Sequence, residues 1–139
     1  MTSTQENTLE SLLTFALRIL SFYFLCVATA HLFGLKIPLL YVYFDVPSTG
    51  YQDRIISFMA MGWCLSFYAA SKNVSTNQSL IKMLILAGAF AVAALANNNY
   101  VTDFTIHTLT PSLWAYWLQT GLLAIIVAGL YGLYRACFK

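Results

Sequence analysis

Four long apolar runs are the feature that most constrains what this chain can fold into. A helix of about 20 apolar residues crosses the roughly 30 Å hydrocarbon core of a bilayer. Backbone groups cannot stay unpaired in lipid, and the alternating pattern of a membrane barrel is absent, so helices are expected. The sequence therefore predicts an all-α fold, an integral membrane four-helix antiparallel bundle in a single domain. The predicted spans are residues 12–33, 55–70, 80–96 and 113–133 of the 139.

Composition supports a membrane protein over a soluble one. Only 9% of the residues are charged and 60% are hydrophobic, whereas a soluble domain carries about a quarter charged residues. A chain of 139 residues cannot hide that much apolar surface in its own interior. Membrane lipids are thus expected partners. The formal net charge of +2 and the lack of a basic stripe do not indicate nucleic acid.

Charges outside the runs predict the orientation. The first eleven residues contain no Lys or Arg, unlike a cleaved signal, so the first run is expected to stay as a helix. With four spans, both termini share one side with the second connection. Cationic residues collect on that side, and the positive-inside rule places both termini in the cytoplasm. These residues are Lys72, Lys82, Arg135 and Lys139.

The connection between the first two runs, residues 34–54, is too apolar for an ordinary water-exposed loop. Pro38, Pro47 and Gly50 interrupt it, so it should not span. Its tyrosines suit the headgroup level, where amphipathic rings settle. We predict an interfacial first loop that lies on the end of the bundle.

Much of the polar inventory falls at the non-cytoplasmic end, where the third run closes in AALANNNYVTD, residues 93–103. One interpretation is structural: asparagines cap a helix and Trp and Tyr form an aromatic belt. The other is a ligand pocket between the helices. Polar groups within apolar runs are costly unless paired or used, which makes two of them the best candidates, His31 and Gln119. The full predicted ligand-binding set is His31, Arg54, Asn98, Trp117 and Gln119.

Arg18 is an intramembrane charge about two turns inside the first helix. Its long side chain can extend to the interface, a behaviour known as snorkelling. The alternative is contact with an anion or a lipid headgroup. Tyrosines on the same side would then be its neighbours, namely Tyr68, Tyr131 and Tyr134.

The sequence assigns no catalytic residues. No hydrolase, metalloprotease or phosphate-binding motif occurs, and none of the five carboxylates lies inside a predicted span, so an ion-coupled pump is not indicated. The three cysteines show no CxxC spacing, and no metal site is predicted. His31 and His107 share one side, which leaves haem ligation open as a cofactor hypothesis.

Small residues spaced four apart predict where helices approach closely. The second run offers Gly62, Ser66 and Ala70, and the fourth offers Ala124, Ala128 and Gly132. An alternative is that alanine and glycine are simply frequent in membrane helices.

The order of these features resembles the DoxX-like group of small four-helix bacterial membrane proteins. The resemblance rests on LRIL at residues 17–20, AHLFG at 30–34 and Arg54 at the opening of the second helix. A polar third connection and a Leu-rich fourth helix that ends in Tyr and Arg follow. The similarity covers most of the chain. It implies the four-helix fold and a link to quinone or redox partners, because some members are membrane subunits of quinone-reducing sulfur oxidoreductases.

Three functions stay open at this point. The residues favour a non-catalytic subunit or scaffold with other membrane protein subunits as partners, because nothing forms a complete active site. The alternative is a lipophilic-ligand or quinone-binding redox component with its pocket at the non-cytoplasmic end. The second alternative is a small lipid-modifying or isomerising membrane enzyme that uses the same pocket.

Overall fold

Four helices account for most of the chain. The computed structural model describes residues 3–138, and their side chains from residue 7 onwards. The predicted all-α, four-helix fold is confirmed, and a short 3-10 helix, Phe104–Ile106, lies in the third connection. Over the described residues, three helices are long and apolar enough to cross a membrane: α1, α3 and α4. The bounds are Ser3–Leu32 for α1, Gly50–Lys72 for α2, Gln78–Val101 for α3 and Leu113–Cys137 for α4.

α2 is not among the three helices that meet the length and hydropathy of a span, and both of its ends are polar. It opens with GYQDR and closes with SK, so its apolar stretch is shorter than its helical length. Thr49 caps the helix, since its hydroxyl accepts a hydrogen bond from the backbone N–H of Gln52 at 3.3 Å. Oε1 of Gln52 accepts a hydrogen bond from the backbone N–H of Thr49, which completes a capping box. This cap starts α2 five residues before the predicted span.

The helices form a closed ring in which each packs against its chain neighbours and α4 returns to α1. The most extensive packing joins α1 to α2, and the next joins α3 to α4. We call these the two helix pairs. The ends of the bundle differ in content. The termini end holds the start of α1 and the end of α4, and the loop end holds loop 1, residues 33–49, and the connection 102–112.

The contact between α1 and α2 follows a regular spacing. The buried residues of α2 alternate in steps of four and three, which is the repeat of knobs-into-holes packing. Small polar residues on this seam bridge the helices: Ser57 donates to the Ala28 carbonyl at 2.8 Å, and Ser21 donates to the Cys64 carbonyl at 2.9 Å. Such bonds help to hold helices together where water exclusion gives little driving force. The buried residues on this face of α2 include Asp53, Ser57, Ala60, Cys64, Phe67 and Ser71.

An apolar core closes the termini end. All four helices contribute side chains to it, and Leu13, Leu17 and Ile81 are fully buried there. A hydrogen bond also joins two elements at this end. The hydroxyl of Ser75, in the turn between α2 and α3, donates to the Glu10 carboxylate of α1 at 2.6 Å. The remaining core residues are Phe67, Ala70, Val74, Leu84, Leu130 and Tyr134.

α1 ends in a Schellman motif directly after His31. Gly34 has φ of +65°, a left-handed conformation that costs glycine little. The N–H of Leu35 donates to the Ala30 carbonyl at 2.8 Å and that of Gly34 to the His31 carbonyl at 3.3 Å, as this motif requires. The motif fixes His31 in the last turn of α1 and directs the chain across the loop end.

The packing predicted from small residues in α2 and α4 was wrong in part. Gly62 and Gly132 have open space around their α-carbons, and Ala128 is exposed. Ala70 alone of the α2 stripe is buried in the core. The small-residue stripes of α2 and α4 therefore face largely outward. In α2 the reason is that the face with Ser57 and Cys64 packs against α1 instead.

Gly88 marks the closest approach between α3 and α4. A β-carbon at this position would lie 2.8 Å from Cγ2 of Val127, and the β-branched valine has little freedom to move away. We expect Gly88→Ala to lower the free energy of unfolding by about 1–3 kcal/mol through overpacking. Denaturant titration in detergent micelles measures this change.

Gly129→Ala is the matched control, because no atom lies within 4 Å of a β-carbon added there. It should change stability by less than about 1 kcal/mol, in the favourable direction given by helix propensity. Adding Val127→Ala to Gly88→Ala should recover part of the loss. Equal stability of the two glycine variants would show that the α3–α4 contact is not as close as described.

Candidate functional site

A cavity of about 800 Å³ separates the two helix pairs. It starts beneath loop 1 and extends to Phe67, Leu84 and Leu130 of the termini-end core. On α3 the small side chain of Ala91 leaves room for it. The volume falls within the range of small-molecule sites, about 300–1,000 Å³. Most of its walls are apolar, with side chains such as Val27, Ile56, Ile85, Leu95, Leu123 and Val127.

Loop 1 forms the roof of the cavity through residues 39–48. Leu39 has φ of 77°, which is unusual for a residue with a branched side chain. Its carbonyl accepts a hydrogen bond from the Tyr23 hydroxyl of α1 at 2.7 Å. Tyr23 also lines the cavity, so this bond ties the strained point of the roof to the wall below it.

A buried pair, His31 and Asp53, forms the polar centre of the cavity wall. Both residues are only 6% exposed, and both line the cavity. The imidazole Nδ1 lies 3.2 Å from Oδ1 of Asp53. A carboxylate can only accept, so Nδ1–H is the donor in this bond. The last turn of α1 and the first turn of α2 are thereby joined.

Loop 1 completes the surroundings of this pair. Ser48 donates to Oδ2 of Asp53 at 2.9 Å, and the Tyr41 ring stacks on His31 with a centroid distance of 3.6 Å. Burial, and then the carboxylate of Asp53, raise the pKa of Tyr41 above its ordinary value. Tyr41 thus stays a neutral hydrogen-bond donor, and its hydroxyl contacts the Ala30 carbonyl at 3.3 Å.

The bond to Asp53 sets the chemistry of the other imidazole nitrogen. With Nδ1 protonated, Nε2 of a neutral imidazole is an acceptor, and it becomes a donor when the ring is charged. Nε2 has no hydrogen-bonding partner among residues 7–138, although every fully enclosed side-chain nitrogen or oxygen described there is satisfied. Nε2 is therefore reachable from the cavity and available to a bound molecule.

The asparagines at the end of α3 lie within the helix and connect it to two other elements. Asn98 donates to the Tyr43 hydroxyl of loop 1 at 2.7 Å, and Tyr43 donates to Oδ1 of Asn99 at 2.9 Å. Asn99 in turn donates to the Thr120 hydroxyl of α4 at 3.0 Å. This chain of bonds holds the roof against the α3–α4 pair.

Asp45 fastens loop 1 to the start of α4. One carboxylate oxygen accepts from the Ser112 backbone N–H at 2.8 Å and the other accepts from the hydroxyl of the fully buried Tyr116. A negative charge is favourable at a helix N-terminus, where backbone donors lack partners. Burial alone would raise the pKa of Asp45, but the bonds from Tyr116 and Ser112 outweigh it and hold the pKa below its ordinary value.

The predicted ligand-binding residues separate into three groups. His31 and Gln119 line the cavity. Asn98 does not line it but supports Tyr43, which does. Arg54 is exposed and Trp117 is 47% exposed, and neither reaches the cavity.

Sequence reasoning did not include Asp53 among the predicted site residues. The four-three spacing of α2 was the available signal: Asp53 shares the buried face with Ser57 and Ala60, while Arg54, the next residue, points away. Tyr41, Ser48 and Trp63 were missed as well, and all but Trp63 come from loop 1, whose path has no periodic pattern.

The haem hypothesis loses its second ligand. His107 is exposed on the connection 102–112 and does not line the cavity, so His31 and His107 do not face each other across it. Among the side chains of residues 7–138, no three His, Cys, Asp or Glu gather in a way that could hold a metal ion.

No family model, curated protein or solved structure matches the chain. The DoxX-like resemblance therefore stays a prediction, and the site is interpreted from its own geometry.

Asp45 gives the fold a specific pH dependence. Because its folded-state pKa lies below the ordinary value of 3.8, its contribution to stability is present above that value and is lost as the pH falls through the folded-state pKa. We expect the difference in unfolding free energy between the wild type and Asp45→Asn to shrink as the pH falls from about 6 to about 2. Unfolding titrations across this range measure it.

Tyr116→Phe provides the comparison, because it removes the hydroxyl that donates to Asp45 and keeps the ring. Its pH profile should be flatter than that of the wild type in the same acidic window. A constant offset between wild type and Asp45→Asn at every pH would contradict the proposed attachment.

Proposed function

We propose that this chain is a four-span membrane protein that binds a lipid-soluble molecule with an oxygen-bearing head group in the cavity between its helix pairs. A quinone is the class of ligand that fits best. The observation that carries the proposal is the His31–Asp53 pair on the wall of a largely apolar cavity. A buried carboxylate and imidazole are costly in a membrane protein and mark a binding or proton-handling site by default.

The lining matches the two parts of such a ligand. Isoprenoid or alkyl tails suit the branched aliphatic walls toward the termini-end core. A carbonyl or hydroxyl oxygen suits the loop end, where Nε2 of His31 and the amide of Gln119 are available. The amide can both donate and accept, and the imidazole changes role with its protonation, so either a carbonyl or a hydroxyl can be bound.

Insertion in the membrane follows from the apolar surfaces of the helices. α1, α3 and α4 each satisfy the length and hydropathy of a span, and we propose that α2 crosses beside α1 with its polar first turn at the loop end. Both termini then lie in the cytoplasm, because Lys72, Lys82 and Arg135 gather at the termini end.

The cavity changes the order of the functions inferred from sequence. A scaffold does not require a cavity of this size, so we now rank ligand binding above a scaffold role. Assembly with other membrane subunits remains a proposal, supported by exposed aromatic side chains such as Phe90 and Trp114. Lipid modification in the same cavity is a further proposal, for which the His31–Asp53 pair would supply a general base.

Trp63 makes ligand entry measurable. It lines the cavity, whereas the other two tryptophans of the chain, Trp114 and Trp117, do not. Replacing those two with Phe leaves Trp63 as the single reporter. A benzoquinone with a ten-carbon tail, added to this protein in detergent, should quench its fluorescence in a saturable manner.

Two alanines of α3 supply the test of location. Ala91 lines the cavity and Ala89 is exposed on the same helix. Ala91→Phe should fill the space and abolish the saturable quenching, while Ala89→Phe should leave it unchanged. Similar quenching in both variants would show that the quinone reports only on the micelle, and the proposed function would be wrong.

A third variant tests the head-group contact. His31→Gln should weaken binding about fivefold to thirtyfold, the loss expected for one or two kcal/mol of hydrogen bonding. His107→Gln is the matched control, because that histidine is exposed outside the cavity. Unchanged affinity in His31→Gln would assign the head group to another part of the wall.

A further inference from the structure

Arg18 lies at the termini end without an anionic partner among the side chains of residues 7–138. It is exposed on α1, directly after the fully buried Leu17. Its guanidinium has no hydrogen bond or ion pair with the described side chains, residues 7–138. The nearest carboxylate along α1, Glu10, is engaged by Ser75, and the three aspartates of the chain belong to the loop end.

A second helix brings another cation and a hydroxyl to the same place. Lys72, the last residue of α2, holds its Nζ 4.3 Å from the centroid of the Tyr68 ring. Arg18 is close enough to act electrostatically on the Tyr68 hydroxyl. Arg18 and Tyr68 lie at a similar depth in the bundle. Leu17, which precedes Arg18, packs in one core with Phe67, which precedes Tyr68, and with Ala70.

We propose that Arg18, Tyr68 and Lys72 form a binding site for the phosphate of an anionic phospholipid in the groove between α1 and α2. Two cations without carboxylate partners among the described side chains complement a phosphate diester, and the Tyr68 hydroxyl can donate to a phosphate oxygen. The proposal rests on membrane insertion but does not involve the cavity.

Depth and surroundings both suit a lipid rather than a soluble anion. Arg18 lies about six residues, or about 9 Å, inside the predicted apolar run, and a side chain of its length can extend to the interface. One turn deeper, exposed apolar side chains continue the groove on both helices, with Phe22 on α1 and Leu65 on α2. An acyl chain can lie along these residues while its phosphate meets the cations.

Lipid retention tests the site. Native mass spectrometry of the full chain in mild detergent gives the affinity for phosphatidylglycerol, with zwitterionic phosphatidylcholine as the reference lipid. Arg18→Gln and Lys72→Gln should each weaken phosphatidylglycerol binding about fivefold, the effect of one cation near an anionic lipid. Arg18→Lys should recover most of the loss, and phosphatidylcholine binding should change little.

Arg135→Gln is the matched control, because that arginine also lies beside a tyrosine, Tyr131, in the last turn of α4. It should bind phosphatidylglycerol like the wild type. An equal loss in this control, or no preference for phosphatidylglycerol over phosphatidylcholine, would overturn the proposal. Displacement of the lipid by millimolar inorganic phosphate would overturn the assignment to a lipid.

The Trp63 quenching assay separates this proposal from the proposed function. Arg18→Gln should keep the saturable quinone response, and Ala91→Phe should keep phosphatidylglycerol binding. If Arg18→Gln does not fold, the Lys72→Gln and Arg18→Lys variants decide the outcome, since each leaves one cation unchanged.

Discussion

The hydrogen bond between His31 and Asp53 is the interaction on which the loop end of this protein depends. A carboxylate taken out of water costs several kcal/mol unless its oxygens are satisfied. Here one oxygen accepts a hydrogen bond from His31 and the other accepts one from Ser48, so both carboxylate oxygens are satisfied. His31 belongs to α1, Ser48 to loop 1 and Asp53 to α2. The carboxylate of Asp53 therefore joins all three elements.

The two ends of the bundle are closed by different chemistry, which explains why the space between them stays open. At the termini end, branched and aromatic side chains from all four helices meet in one core. At the loop end, polar bonds from Asp45, Tyr43 and Asn99 attach the roof to α3 and α4. Between these closures α3 presents a residue as small as Ala91 to the cavity. A side chain of that size cannot fill the gap between the pairs, and a cavity results.

Periodicity determined how much of this arrangement the sequence could predict. The number, type and order of the helices follow from apolar runs. The polar side chains deep within those runs, His31 and Gln119, line the cavity, and their role in binding stays a prediction. The choice between Asp53 and Arg54 needed the phase of the four-three spacing in α2, a signal that the residue pattern carries but that was not used. Loop 1 was predicted to lie on the bundle end, but its contacts through Tyr41, Asp45 and Ser48 depend on irregular backbone such as Leu39 at positive φ. No local pattern encodes such a path.

The polar first turn of α2 also bears on how the protein is made. A ribosome delivers α1 before α2, so the imidazole of His31 is already in place when the carboxylate of Asp53 emerges. Neither helix then has to bury an unpaired polar side chain, provided that the two helices pair as a hairpin. Because the partners are only 22 residues apart along the chain, their bond can form within this hairpin before α3 and α4 are synthesised.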